Sequence, residues 1–142
     1  MIREMQAADL DKILPIEESC FSDPWSKEMF EGSLTLPTTR GLLFEEEGQV
    51  KGYILGGVLF EEAEIFNVAV TPIYRKNGIA KKLMDAFEEL IKSQGASVCF
   101  LEVRVSNLAA LCLYQGYGYE KIGVRKKYYA DGEDAFVMKK TL

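Results

Sequence analysis

The stretch Glu64 to Gln94, EIFNVAVTPIYRKNGIAKKLMDAFEELIKSQ, reads as a strand, a turn and a helix in immediate succession. Ile65 to Val70 is a short β-branched, apolar run of the kind that forms a buried strand, and Thr71-Pro72 ends it because proline has no N–H to give a ladder. From Ile79 onward Ile79, Ala80, Leu83, Met84, Phe87, Leu90 and Ile91 recur at helical spacing. Lys81, Lys82, Asp85, Glu88, Glu89 and Lys92 fall on the opposite face. Gly95 suits the left-handed position just beyond a helix C-terminus.

Between strand and helix lies Arg75-Lys76-Asn77-Gly78-Ile79-Ala80. Small residues at Gly78 and Ala80 let successive backbone N–H groups, and the positive end of the helix dipole, approach an anion such as phosphate. Arg75 and Lys76 add charge. Spacing alone leaves a second reading open, a solvated loop that ends in a helix-starting glycine.

The 142 residues, 48% of them hydrophobic, suit one compact domain spanning residues 1–142 and can bury a core. No apolar run approaches the ~20 residues of a membrane span, and MIREMQAADL lacks the apolar centre of a signal peptide. A cytoplasmic protein with no membrane partner is expected. The net charge of −5 disfavours a nucleic-acid surface and favours a cationic partner. Cys20, Cys99 and Cys112 are odd in number and lack C-x-x-C spacing, so neither a disulfide framework nor a thiolate metal site is expected. Cys99 and Cys112 read as small buried hydrophobes. With no histidine in the chain, histidine bases and histidine metal sites are excluded, and proton transfer falls to Glu, Asp, Tyr, Lys or water.

Residues 1–5 read as a short edge strand. Leu10, Ile13, Leu14 and Ile16 then mark a helix over Asp9 to Ser19, which Pro15 should kink or divide. Ser26 can cap a second short helix bearing Met29, Phe30 and Leu34. Gly41 to Glu45 and Val50 to Phe60 form a hairpin around Glu47-Gly48, with acidic Glu45, Glu46 and Glu47 as a solvated tip. After the central helix come a strand over Val98 to Val103, a cap at Ser106-Asn107 and a short helix through Tyr114, broken by Gly116 and Gly118. Tyr119 to Tyr128 and Ala135 to Lys140 read as a closing antiparallel pair across Asp131-Gly132. Strands before and after amphipathic helices, with hairpins at both ends, imply an α/β chain whose mixed sheet is covered by helices.

Two side chains stand out chemically. Glu102, in VCFLEVRV, is a carboxylate among apolar neighbours, which costs several kcal/mol if buried and unpaired, so it should pair with Arg104 or face a cleft. Tyr114 shares a helix face with Ala110 and Leu111, which by itself suits a core aromatic as well as a functional one.

The segment Arg75 to Ala80 resembles the acyl-CoA-binding signature Gln/Arg-x-x-Gly-x-Gly/Ala of the GNAT superfamily of N-acetyltransferases, with Arg75, Gly78 and Ala80 in its fixed places. The resemblance covers nearly the whole chain and implies a central, mostly antiparallel sheet flanked by helices. It implies that the turn Arg75, Lys76, Asn77, Gly78, Ile79 and Ala80 holds the pyrophosphate of coenzyme A. Val68, Ala69 and Val70 would then meet the pantetheine arm and acetyl carbonyl through their main chain. The run LEVR-x-S-N-x-x-A-x-x-L-Y, from Leu101 to Tyr114, is similar to a signature of the RimI-type branch, which acts on the N-terminal alanine of a ribosomal protein. That similarity implies Glu102 as general base, Tyr114 as general acid and Asn107 as a coenzyme contact. Pro24-Trp25-Ser26, and Arg125-x-x-Tyr128-Tyr129 followed by Asp131-Gly132-x-Asp134-Ala135, resemble the same branch and imply an acceptor groove containing Trp25, Tyr128 and Tyr129. Tyr117-Gly118-Tyr119 departs slightly from the Leu-Gly-Phe common in relatives.

The implied activity is acetyl transfer from acetyl-CoA to the N-terminal amine of a basic ribosomal protein, by direct attack on the thioester and without a covalent enzyme intermediate. An acetyltransferase of lysine or of a small amine, and a non-catalytic acyl-CoA-binding module, are the alternatives; the retained Glu102 and Tyr114 speak against the second.

Overall fold

The computed structural model describes Met1 to Leu142. A short edge strand β1 (Ile2–Glu4) leads into two helices, α1 (Leu10–Cys20) and α2 (Lys27–Leu34). The hairpin β2 (Thr39–Glu46) and β3 (Gln49–Leu59) follows, then β4 (Glu62–Val70) and the long helix α3 (Ile79–Ser93). The chain continues through β5 (Val98–Arg104), α4 (Leu108–Gly116), β6 (Glu120–Arg125) and β7 (Ala135–Thr141). The seven strands form one sheet in the order β1-β2-β3-β4-β5-β7-β6. Every neighbouring pair is antiparallel except β4 and β5, which α3 joins as a parallel crossover.

The helices cover both faces. Leu10, Ile13 and Ile16 of α1 and Phe30 of α2 pack with Leu43, Tyr53 and Leu55 on one side. Leu83, Phe87 and Ile91 of α3 pack with Ile54, Ile65, Leu101 and Met138 on the other, where Leu111 and Tyr114 of α4 join them. Contact between α3 and β3 is close at Gly56, where an added Cβ would lie 2.2 Å from the Glu64 carbonyl oxygen and 2.6 Å from the Phe87 ring. Only glycine lets that strand sit under the aromatic ring.

Local chemistry places most boundaries. Ser26 caps α2 by accepting the Met29 N–H, Asn107 caps α4 by accepting that of Ala110, and Gly95 follows α3 at φ +93°. Glu47 and Gly48 both have positive φ, the pattern of a two-residue type I′ hairpin turn. Its tip is less uniformly solvated than its charges suggest, since Glu45 pairs with Arg3 and Glu46 with Lys51.

Three expectations need correction. Helix α1 runs undivided through Pro15: the proline removes one bond to the carbonyl of Asp11 on the exposed face, while buried Leu10, Ile13 and Ile16 anchor the turns around it. Cys112 is exposed, because the helical period that buries Leu111 and Tyr114 turns Cys112 outward; Cys99 is buried as expected. Strand β6 stops at Arg125, and Lys127 at φ 52° turns the chain, so Tyr128 and Tyr129 stand in the loop before β7.

One irregularity shapes the site. In β4, Ile65 pairs with Gly56 and Asn67 with Leu55, so Phe66 is an extra residue in the ladder. The bulge turns consecutive side chains to the same side of the sheet: Phe66 stacks on Trp25 with ring centroids 6.2 Å apart, and Asn67 bonds Glu17 of α1.

Candidate active site

Strands β4 and β5 pair only from Glu62–Val98 to Ile65–Leu101. Beyond that point both continue but part, so Asn67 to Val70 keep a ladder on the β3 side alone. Unpaired strand backbone is free to bond an extended ligand, which suits the expectation for Val68, Ala69 and Val70.

At the end of β4 the turn Arg75 to Ala80 leads into α3. Lys76 and Gly78 both have positive φ, 67° and 77°, which curls the backbone before the helix. None of the amides from Lys76 to Lys81 donates to a protein acceptor, and an added Cβ at Gly78 would meet nothing within 4 Å. Successive free N–H groups at the start of a helix fit a pyrophosphate. Arg75 is folded back, its Nε 3.3 Å from the Val70 carbonyl and its Nη2 3.2 Å from Cys20 Sγ, which leaves Lys76 as the freer cation.

A cavity of ≈ 530 Å³ occupies the opening between the strands. It brings together Glu102, Tyr114, Asn107, Val68, Trp25, Tyr128 and Tyr129, whose positions span most of the chain. Ala69, Val70 and the turn Arg75 to Ala80 lie outside it, along the continuation of β4. Residues of α4 and of the α1–α2 loop cover opposite faces of the sheet yet line the same cavity, so it passes through the sheet.

Glu102 does not pair with Arg104. Its Oε1 lies 3.2 Å from Nε of Arg125 on β6, while Arg104 reaches Asp23 at 3.0 Å and Asp131 and Glu133 at 2.9 Å each. Strand alternation puts the two on one face, so the reason is loop placement: three carboxylates converge on Arg104 from the α1–α2 loop and the β6–β7 loop. The guanidinium also lies 4.1 Å from the Tyr129 ring centroid, so one side chain ties both loops together at the cavity rim.

Burial, with smaller effects from Tyr129 and Cys99, pushes the Tyr114 phenol well above its ordinary pKa, so it stays protonated as a donor at the cavity wall. Asn107 spends its side-chain oxygen on the cap of α4, leaving its NH2 available. Tyr129 is pushed up to about 12, again mainly by burial.

Several residues of the site escaped the sequence reading. Glu64, Phe66, Asn67 and Asp23 also line the cavity. Glu17 is 1% exposed and accepts hydrogen bonds from the Tyr53 hydroxyl, the Asn67 amide and the Trp25 backbone N–H. A carboxylate on the apolar stripe of α1, four residues after Ile13, was the available signal.

An amide-lined turn at one end of an opened sheet, and a cavity with protonated and deprotonated groups at the other, are the two halves of an enzyme that moves a group from an anionic carrier to an acceptor. The chain belongs to the GNAT family of acetyltransferases, whose model matches residues 10–119. It is therefore an acetyl-CoA-dependent acetyltransferase. A Bacillus subtilis (strain 168) protein provisionally named a ribosomal protein bS18-alanine N-acetyltransferase is 38% identical over 96% of this chain and 92% of its own length. The Escherichia coli (strain K12) protein of that name is 32% identical over 96% of this chain and 94% of its own. The crystal structure of the ribosomal-protein-S18-alanine N-acetyltransferase from Escherichia coli superposes with a TM-score of 0.91 at 29% identity, covering 99% of this chain and 92% of that one.

Proposed function

We propose that the acceptor is the α-amine of a protein N-terminus beginning with alanine, on a basic ribosomal protein, and that transfer takes place in the cytoplasm. The observation that carries this reading is the cavity that crosses the sheet, with Glu102 and Tyr114 inside and Trp25, Tyr128 and Tyr129 around its acceptor side. The names of the Bacillus subtilis and Escherichia coli relatives point to the same acceptor. No helix is long and apolar enough to cross a membrane.

In this reading the amides of Lys76 to Ala80 hold the coenzyme's pyrophosphate, Val68 to Val70 align its pantetheine arm, and Asn107 contacts it. Glu102 draws the proton from the incoming amine, which attacks the thioester directly. Tyr114 donates a hydrogen bond to the sulfur as its charge develops. A thiolate whose conjugate acid has a pKa near 8.5 cannot readily take a proton from a phenol whose own pKa is raised, so donation rather than full transfer is the role that fits.

The acceptor class is tested with two peptides, one alanine-initiated and one with its N-terminus blocked and a single lysine free, while released thiol is followed. An α-amine near pKa 8 is roughly a tenth neutral at pH 7, against about 0.04% for lysine. The first peptide should react much faster at pH 7, with the gap narrowing towards pH 10. Equal rates at pH 7 would make this a lysine acetyltransferase.

A further inference from the structure

We propose that the base of this site is a carboxyl pair, Glu64 and Glu102, and that Glu64 is the member that takes the proton from the acceptor's ammonium. The proposal rests on the α-amine reading above and refines it: Glu102, the base named there, acts together with Glu64, which takes the proton in its place.

The pair follows from strand register. Glu64 on β4 sits opposite Phe100 on β5, and Ile65 opposite Leu101, so alternation places Glu64 and Glu102 on the same face, one on either side of the last rung before the strands part. Both line the cavity. Arg125 contacts Glu102, Tyr128 lies near both carboxylates and Tyr129 near Glu102, while the buried Cys99 thiol lies near Glu64 on the opposite face of the sheet.

These neighbours divide the labour. Arg125 sits on Glu102, and Glu64 has no cation in contact. Partial enclosure by the cavity walls raises Glu64, even though its side chain is open to solvent along the cavity, and the neighbouring Glu102 raises it further. Two adjacent carboxyls titrate as a coupled pair, and only Glu102 has a cation in contact, which leaves Glu64 as the member open to the incoming proton. A carboxylate of ordinary pKa is a poor base for an amine; a raised one is better matched.

The protons balance. The ammonium gives one to Glu64 and attacks the thioester carbon as the neutral amine. Collapse breaks the C–S bond, and the second nitrogen proton leaves with the thiolate, steadied by Tyr114, to give the free thiol. The proton on Glu64 returns to water through the cavity mouth before the next turnover.

The test is Glu64→Gln, nearly isosteric, assayed with an alanine-initiated peptide and with the same peptide carrying fluorine on the alanine β-carbon, whose acidified amine arrives largely neutral. The kcat should fall about tenfold or more with the ordinary peptide and recover most of that loss with the fluorinated one. Acetyl-CoA affinity by calorimetry should be unchanged, which shows the fold intact. Carbon-13 titration of the glutamate carboxyls should show, beside the raised signal of buried Glu17, a second raised signal that disappears in Glu64→Gln. A kcat within about twofold of wild type, an equal deficit with both peptides, or the same raised signals in the variant as in wild type would overturn the proposal. Should the wild-type enzyme prefer lysine, the acceptor reading fails by itself, and the Glu64→Gln comparison is then read on lysine against an acidified lysine analogue.

Discussion

The carboxylate of Glu17 accepts the backbone N–H of Trp25 over 2.8 Å, fixing the loop between α1 and α2 from inside the core. The same carboxylate holds Tyr53 of β3 and Asn67 beside the bulge, so the aromatic wall of the cavity and the strand it faces share one anchor.

Glu17→Ala leaves those buried donors without an acceptor and should cost on the order of 3 kcal/mol, whereas Glu17→Gln, which keeps an oxygen in place, should cost far less. Burial raises the Glu17 pKa against the opposing hydrogen bonds. With its folded value above the unfolded one, the native state binds more protons between the two, so the stability due to this group is greatest at low pH and falls as pH rises through the folded value. Urea midpoints should therefore show wild type gaining on Glu17→Gln between pH 8 and pH 5; a pH-independent difference would contradict this.

Gly78→Val should weaken acetyl-CoA binding by about tenfold or more while the protein stays folded. The new side chain meets no protein atom but forces a β-branched residue towards φ 77°, which costs about 1–3 kcal/mol and disturbs the curl of the amides. Calorimetry of acetyl-CoA binding is the measurement, and unchanged affinity would move the phosphate site elsewhere.

Tyr114→Phe keeps the ring that packs edge-on to Tyr119, centroids 6.0 Å apart, and loses only the hydroxyl. It should lower kcat by about tenfold or more with little change in the acetyl-CoA KM, since the lost bond matters as sulfur gains charge. An unaltered kcat would return Tyr114 to a purely packing role.

Arg104→Gln releases Asp23, Asp131 and Glu133 from their common cation and lets both rim loops move. The peptide KM should rise several-fold while the acetyl-CoA KM holds, because the turn at Gly78 is built on other elements. Equal rises in both would mean that Arg104 supports the whole fold rather than the rim.

What was legible in the sequence was local. The spacing of α3, the small residues of the turn, the caps at Ser26 and Asn107 and the positive φ at Gly95 each depend on neighbours a few residues away, and the structure has them where the pattern puts them. The partner of Glu102 was not legible, because same-strand Arg104 is nearer in sequence than Arg125 but is claimed by acids from two distant loops. Glu64 precedes the apolar run Ile65 to Val70 and drew no reading of its own; its place beside Glu102 appears only once β5 is known to lie beside β4. The bulge at Phe66 has no signature in the β4 sequence itself, since it is set by the register with β3.

The parting of β4 from β5 leaves β1 to β4 and β5 to β7 as two blocks stitched by four residue pairs. With the coenzyme seated along Val68 to Val70 as proposed, the donor acts as a splint across that joint. A ligand that binds only the native form adds RT ln(1 + [L]/Kd), about 2.7 kcal/mol at a hundred times Kd. Amides along the open stretch would then exchange with solvent fastest in the empty protein and slow on loading, and the lifetime of the folded chain would follow the supply of its own acetyl donor.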